Sequence, residues 1–267
     1  MTNWCMAWLA AATVQAVLFS LAPVPAAGQT QTATETGVVR RTAEGTPDLS
    51  GIWQVMNTAA WDIQDHPAQK GVPAGQGVVE GNELPYLPAA AAKKKANYDN
   101  RATADPETKC YLPGVPRITY MPYPFQITQS QKQVTILYEY VHAVRNVFLG
   151  TPHIKGPIDW WMGDSRGRWE GNTLVVDVLE FNDETWFDRA GNFHSDALHV
   201  VERITPASPD HLNYEATIED KKVFSRPWKM SLPIYRRREK GARLLEFRCV
   251  EFVEDLIYGP LRKPKTP

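Results

Sequence analysis

Short runs in which apolar and polar residues alternate follow one another from Phe125 towards the C-terminal end of the chain. Successive side chains of a β-strand point to opposite sides, so this period of two predicts half-buried strands. Gly171-Asn172 joins two such runs and is typical of a two-residue β-hairpin turn. The predicted strands are Gln133–Tyr140, Arg168–Glu170, Thr173–Val178, Leu198–Ile204, Leu212–Glu219, Trp228–Tyr235 and Leu244–Val250.

Strands joined by hairpins predict a mainly β fold, in which an antiparallel meander closes into a lipocalin-like β-barrel. Closure removes the exposed edges that would otherwise invite aggregation. Gly51-Ile52-Trp53 is similar to the Gly-x-Trp entry of lipocalin-type barrels. A β-sandwich is the alternative. We expect one domain over residues 47–267, with the main strands in 125–267 and a long irregular wrap in 47–124 that contains a short helix at Ala89–Tyr98.

The first 46 residues have the pattern of an export signal and a leader. Trp8–Ala22 is almost wholly apolar and small residues follow at 26–28, which predicts a signal sequence cleaved near residue 28. No Lys or Arg precedes the apolar run. A membrane anchor is the alternative, but the run is short for a span and two prolines follow it. Polar residues 29–46 predict a flexible leader, and we expect a periplasmic or secreted protein without a stable membrane span once the signal is removed.

Export determines how the three cysteines are interpreted. Cys5 would leave with the signal, so Cys110 and Cys249 remain as a pair in an oxidising compartment. We expect a disulfide between them, joining the Pro-rich middle of the chain to the last strand. In the chain-entropy model a loop of this length contributes about 4 kcal/mol to stability.

Charge and missing motifs exclude several classes of function. The formal net charge is −1 with both signs interspersed, which argues against a nucleic-acid partner. The chain has no GxGxxG, no phosphate-binding Gly-rich loop and no CxxCH. It also lacks HExxH and any close Cys/His cluster, so we expect neither a cofactor nor a metal. Residues of suitable ligand type are His142, His194, His199, Asp196 and Glu202.

Residues 163–203 hold the densest set of chemically capable side chains. His194 follows a Gly-Asn turn, where it could project into a cavity and be oriented by Asp196. Ser195 is a poor nucleophile partner for it, because adjacent strand residues point to opposite faces. His194 could instead stabilise the turn. Glu202 shares a face with apolar residues, so it must take up a proton or pair with Arg145 or Arg166.

Further candidates lie on either side of His194. Alternation places His142 on one face with Tyr138 and Tyr140, where it could act as a general acid or base inside a barrel. A hydrogen-bonded core histidine is the alternative. Trp186 could stack on a sugar or another planar ligand beside polar neighbours. Capping of the local backbone is the alternative role for these neighbours. These neighbours are Asn182, Asp183 and Asp188, and the tryptophans expected in the core or at a cavity wall include Trp160 and Trp228.

Four stretches together resemble a widespread family of exported, largely uncharacterised bacterial proteins. They are PDLSGIW (47–53), CYLPGVPRITYMPYPFQI (110–127), LYEYVHAVRNV (137–147) and residues 163–228, which include GRWEGNTLVVDV, FNDETWFD and HSDALHVVER. The resemblance covers most of the chain after residue 47 and implies a β-rich, lipocalin-like domain with a shared polar constellation. It also implies that position 199 varies, which lowers the interest of His199 as a catalytic group.

Two functions follow from these residues. The first is an exported, cofactor-independent enzyme that acts by acid–base chemistry on a small organic or sugar-like molecule, as a hydrolase, lyase or isomerase. The second is a periplasmic protein that binds an apolar or aromatic molecule inside the barrel. The polar density of 163–203 favours the enzyme. The predicted catalytic residues are His142, His194, Asp188 and Glu202, and the predicted substrate-binding residues are Tyr138, Tyr140, Trp160, Arg145, Arg166, Asn182, Trp186 and Trp228.

Overall fold

A computed structural model describes residues 37–69, 72–154 and 156–261, in which strands predominate and helices are few. The predicted signal sequence (1–28) and the first part of the leader lie outside the described residues. The strands are β1 (Gly51–Gln54), β2 (Phe125–Gln129), β3 (Gln133–Tyr138), β4 (Val144–Leu149), β5 (Asp164–Glu170), β6 (Thr173–Leu179), β7 (His199–Ser208), β8 (His211–Glu219) and β9 (Trp228–Arg236). The helices are α1 (Pro88–Ala104), α2 (Arg117–Tyr120) and α3 (Val253–Tyr258).

The strands form one closed barrel in which each pairs with its neighbours in sequence order. Pairing of β1 with β9, through Trp53 and Arg236, closes the barrel. The predicted mainly β barrel is therefore confirmed. The sheet is mixed rather than antiparallel, because β4 and β5 run parallel, with Val147 opposite Ser165.

The parallel pair determines where the connection between β4 and β5 runs. Parallel neighbours cannot be joined by a hairpin, so the chain must return from the end of β4 to the start of β5. The backbone N–H of Gly150 donates to the carbonyl of Gly167 at 3.0 Å, and the Arg166 guanidinium donates to the Thr151 hydroxyl at 2.8 Å. Residues 150–154 therefore lie beside β5 and bring His153 to its outward-facing side chains.

Most predicted strands are present, and the Gly171-Asn172 hairpin is confirmed by the pairing of Glu170 with Thr173. The strand predicted at Leu244–Val250 is wrong, since these residues have no regular structure. A closed barrel has no free edge for another strand, because β1 already pairs with β9. The Cys110–Cys249 disulfide is confirmed, with the Cα atoms 5.7 Å apart, but it joins an irregular C-terminal segment rather than a strand.

Helix α1 confirms the helix predicted at Ala89–Tyr98 and extends beyond it. It packs closely on Gly191, whose φ is 84°. A side chain at Gly191 would place its Cβ 2.7 Å from the Tyr98 nitrogen and 2.8 Å from the Lys94 carbonyl oxygen. Glycine at this position therefore lets the helix cover the loop that follows β6. Among the described residues, no helix is both long enough and apolar enough to span a bilayer.

Inward-facing side chains fill the barrel. Every second residue of β6 to β9 is buried, as strand alternation requires. The surrounding core also takes in residues of the N-terminal wrap and of the loop after β6. Inward residues from these four strands include Leu174, Val176, Val178, Val200, Ile204, Leu212, Tyr214, Ile218, Trp228, Met230 and Leu232.

Candidate functional site

Two of the predicted site residues form an ionic pair inside the barrel. Arg145 of β4 donates both guanidinium NH groups to the two oxygens of Glu202 on β7, and its Nε donates to the Ser165 hydroxyl at 3.0 Å. The Tyr214 hydroxyl donates to Glu202 at 2.8 Å. Of the two possibilities left open for Glu202, the structure shows pairing with Arg145.

This interior pair is well satisfied and closed to solvent. The side chains of Arg145 and Glu202 are 3% and 0% exposed. Burial alone would lower the pKa of Arg145, but the adjacent Glu202 carboxylate holds that pKa above its usual value. A group so enclosed has no atom available to a substrate, and the pair fixes β4 against β7.

His142 lies away from the barrel interior, contrary to the alternation predicted for Gln133–Tyr140. Strand β3 ends at Tyr138, and Tyr140–His142 form a 3-10 turn in which His142 has a φ of 53° and is exposed. The turn breaks the period of two, so His142 does not share a face with the two tyrosines. Tyr138 faces inward beside Phe125, and Tyr140 packs against Tyr123 and Phe247.

His194 is enclosed in the loop after β6. Its ring is 1% exposed and lies 5.8 Å from the Phe181 ring and 5.4 Å from the Phe187 ring, centre to centre. Nδ1 donates to the Ser195 carbonyl at 2.9 Å, so Nε2 accepts from the Thr185 hydroxyl at 2.5 Å. Burial lowers the pKa of His194 and favours the neutral ring.

Asp196 does not orient His194, contrary to the predicted arrangement. It forms an exposed ion pair with Lys222, while the backbone and hydroxyl of Ser195 bond to Asp220. The two predicted histidines, His142 and His194, therefore lie in separate environments and share no partner.

Asp188 is wholly buried and organises the loop around it. Its oxygens accept from the Ile63 N–H at 3.0 Å and from the backbone and side-chain amides of Asn192 at 3.1 and 2.6 Å. Burial, together with the nearby Asp62 carboxylate, raises the pKa of Asp188 to about 7. No cation bonds to this carboxyl within the described residues, so the fold accommodates its charge poorly.

The tryptophans predicted to bind substrate differ in how much of the side chain is exposed to solvent. Trp186 is 8% exposed and Trp228 is 4% exposed, so neither offers an open ring face to a ligand. Asn182 accepts from the Glu184 N–H at 3.2 Å, which is the capping role weighed as its alternative. Trp160 is 40% exposed and stands in the connection between β4 and β5.

A second ionic cluster lies on the outer wall of the barrel; we call it the wall cluster. It consists of His153, Asp164, Arg166, Asp177 and His199. Arg166 donates to both oxygens of Asp164, at 2.8 and 2.7 Å. Asp164 in turn accepts from the His153 Nδ1 at 2.8 Å and from the Ile154 N–H at 3.2 Å.

The other side of the His153 ring meets a shared carboxylate. Its Nε2 lies 3.0 Å from Oδ1 of Asp177, and the Nε2 of His199 lies 3.2 Å from the same oxygen. A neutral imidazole carries one N–H, and a carboxylate carries none. Both His153 nitrogens face carboxylate oxygens. The contact between Nε2 and Asp177 is therefore a hydrogen bond when the His153 ring carries both protons or when Asp177 holds a proton.

The wall cluster remains in contact with solvent. The side chains of His153, Asp177 and His199 are 22%, 31% and 33% exposed. By contrast, Asp164 and Arg166, which orient His153, are 6% and 11% exposed. The arrangement is therefore a fixed ion pair beneath three polar groups that remain accessible to solvent.

Sequence reasoning missed most of this cluster. Arg166 was predicted to bind substrate, and the structure instead bonds it to Asp164. His199 was set aside, while His153, Asp164 and Asp177 were not singled out. Alternation does place Asp177 and His199 on the outward face of predicted strands, whereas Asp164 precedes the strand predicted at Arg168–Glu170. His153 could not be placed, because nothing in the sequence indicated that β4 and β5 run parallel.

In the described part of the chain, no group of three or more His, Cys, Asp or Glu side chains is arranged to hold a metal ion. Comparison of the whole chain with family models, with curated proteins and with solved structures found no match. The site must therefore be interpreted from its own geometry.

Proposed function

We propose that this protein is an exported enzyme that acts by acid–base chemistry on a small hydroxylated organic molecule, with the wall cluster as its reactive centre. The observation that carries the proposal is the approach of two imidazole Nε2 atoms to one carboxylate oxygen, at 3.0 and 3.2 Å. Imidazole and carboxylate groups exchange protons near neutral pH. A hydrolase, a lyase or an isomerase could each use them.

Each group of the cluster has a role in this proposal. Asp164, fixed by Arg166, orients His153 through Nδ1, as a carboxylate orients the imidazole of a catalytic triad. When Asp177 bonds to His199 alone, the neutral His153 ring has a free lone pair on Nε2. It then removes a proton from the substrate or from water through Nε2. Asp177 balances the resulting charge, and His199 delivers a proton to the leaving or rearranging oxygen.

Support for export comes from the disulfide and from the N-terminal pattern. Disulfides persist in oxidising compartments and are rare in the cytosol, and Cys110 and Cys249 form one. We extend the proposal to membership of the exported bacterial family that the motifs resemble and to a lipocalin-like class of barrel. The closed barrel agrees with that class, while the parallel β4–β5 pair departs from it.

The alternative, a barrel that holds an apolar ligand in its interior, has less support. Its inward residues pack against one another, and the interior ionic pair occupies the space between β4 and β7. The predicted aromatic anchors Trp186 and Trp228 belong to that packing. An apolar ligand would have to displace side chains that are already buried.

The test compares histidines inside and outside the cluster. Wild type, the His153→Gln variant and a matched control, His142→Asn, are purified. Each is assayed against a panel of chromogenic esters, lactones and glycosides. His142 is exposed in a turn, and Asn tolerates its positive φ. We expect His153→Gln to lower kcat/KM about 100-fold and His142→Asn to leave it unchanged. Equal turnover by His153→Gln and wild type, or no turnover of any panel member by wild type, would contradict the proposal.

A further inference from the structure

One end of the barrel carries an open pocket with a volume of about 350 Å³; we call it the mouth pocket. Gln129, Leu149 and Trp169 stand at or next to the ends of β2, β4 and β5. Each lies two positions after an inward-facing residue of its strand, namely Ile127, Val147 and Gly167. Strand alternation therefore points Gln129, Leu149 and Trp169 towards the barrel axis. Barrel mouths are a common place for ligand sites.

The rim of the mouth pocket combines one aromatic ring with planar polar groups. Trp169 and Leu149 supply an apolar wall, and Glu44 and Gln131 stand at the rim. The Gln131 amide donates to Oε1 of Glu44 at 2.6 Å, and the Thr42 side chain also bonds to this carboxylate. A carboxylate can accept about four hydrogen bonds, so Glu44 keeps acceptor capacity, as does the amide oxygen of Gln131. The indole N–H of Trp169 has no hydrogen-bond partner among the residues that the structure describes, so it is an available donor.

The polar groups deeper in the pocket are held in place. The side-chain oxygen of Gln129 accepts from the Leu49 N–H at 3.1 Å, and its amide donates to the Pro47 carbonyl at 3.1 Å. The Thr46 hydroxyl is hydrogen-bonded to that of Thr42 at 2.9 Å. Because the backbone of residues 46–49 and β2 fix each other here, the pocket is organised before any ligand arrives, which reduces the entropy lost on binding.

We infer that the mouth pocket binds a neutral sugar ring. Carboxylate and amide groups pair with adjacent hydroxyls, and the face of an aromatic ring packs against the C–H face of a pyranose. The lining carries a carboxylate, Glu44, and no cation, which disfavours anionic ligands. Hydrogen bonding from Gln131 lowers the pKa of Glu44, so the group stays ionised near neutral pH.

This site is separate from the wall cluster and does not rest on the proposed function. Asp164 and Trp169 are five residues apart on β5, or about 16 Å, and their side chains face opposite sides of the wall. Trp169 also replaces Trp186 as the sugar-stacking candidate, since the loop predicted to present Trp186 buries it instead.

The experiment is ligand-observed saturation-transfer NMR of the full chain with D-glucose, D-galactose, N-acetylglucosamine and cellobiose, followed by calorimetry with the best of them. We expect at least one sugar to receive saturation on its ring C–H protons. We expect Trp169→Ala and Glu44→Gln each to weaken its binding at least tenfold. Tyr258→Ala removes an exposed aromatic ring of α3 and is the matched control, expected to bind as wild type does.

Gln131→Ala serves if Trp169→Ala does not fold, because Gln131 is an exposed turn residue whose loss removes one acceptor without touching the core. We expect it to weaken binding as well. Absence of saturation of all four sugars at millimolar concentration would overturn the inference. Equal affinity of wild type, Glu44→Gln and Gln131→Ala would overturn it too, as would equal weakening by the Tyr258→Ala control.

Discussion

The barrel wall carries two ionic clusters, one that faces inward from β4 and β7 and one that faces outward from β5, β6 and β7. Inside, Arg145 and Glu202 are almost fully buried and every charged oxygen is bonded. Outside, His153, Asp177 and His199 are a fifth to a third exposed and share one carboxylate oxygen. Burial and complete pairing make the first cluster structural, whereas partial exposure and a shared carboxylate oxygen underlie our proposal that the second is a reactive centre.

The strongest test of this contrast removes one partner of the interior pair. Arg145→Met leaves the Glu202 carboxylate buried without its cation, and we expect it to lower the free energy of unfolding by about 3–5 kcal/mol. Urea denaturation measures this loss. The double variant Arg145→Met/Glu202→Leu is the control and should regain most of it, since neither charge is then stranded. A loss below about 1 kcal/mol in the single variant would show that the interior pair is not structural.

A second test uses a buried carboxyl without a cation. The folded-state pKa of Asp188 is raised to about 7, so the folded chain binds more protons than the unfolded chain between about pH 4 and pH 7. Proton binding to Asp188 therefore stabilises the folded state. This stabilisation is complete below the pKa that Asp188 has in the unfolded chain, and it is lost as the pH rises through 7. The stability advantage of wild type over Asp188→Asn should therefore be larger at pH 5 than at pH 8, by about 2 kcal/mol.

Urea denaturation at the two pH values measures that advantage. Groups that titrate identically in the two proteins cancel in the difference. An advantage that does not change with pH, or that is larger at pH 8, would mean that Asp188 is ionised in the folded protein.

The sequence was sufficient for much of the fold because strands and hairpins have local signals. Alternation located seven runs, of which only Leu244–Val250 forms no strand, and the Gly171-Asn172 hairpin and the Cys110–Cys249 disulfide are present. The parallel β4–β5 pair was not predictable, because it depends on how a long connection returns rather than on a turn motif. The end of β3 was missed for a related reason: a 3-10 turn at Tyr140–His142 interrupts an apolar pattern that would have continued the strand.

The candidate site was predicted less well than the fold. Glu202 and Arg145 were correctly connected as one possible pair, since a charge on an apolar face needs a partner. His194, Asp188 and Trp186 were selected for their chemistry, but a loop that folds back under α1 buries all three. Composition cannot distinguish a reactive residue in a loop from one that holds the loop together, because burial is decided by tertiary contacts.

The most direct measurement compares one variant from each cluster, with kcat/KM on the best substrate of the chromogenic panel and urea stability determined on the same samples. Asp177→Asn should lower kcat/KM about 100-fold and change stability by less than about 1 kcal/mol, as for an exposed ion pair. Glu202→Gln should do the reverse, losing about 3 kcal/mol of stability while each folded molecule keeps its turnover. Full activity in a folded Asp177→Asn protein would contradict the assignment of the wall cluster as the reactive centre.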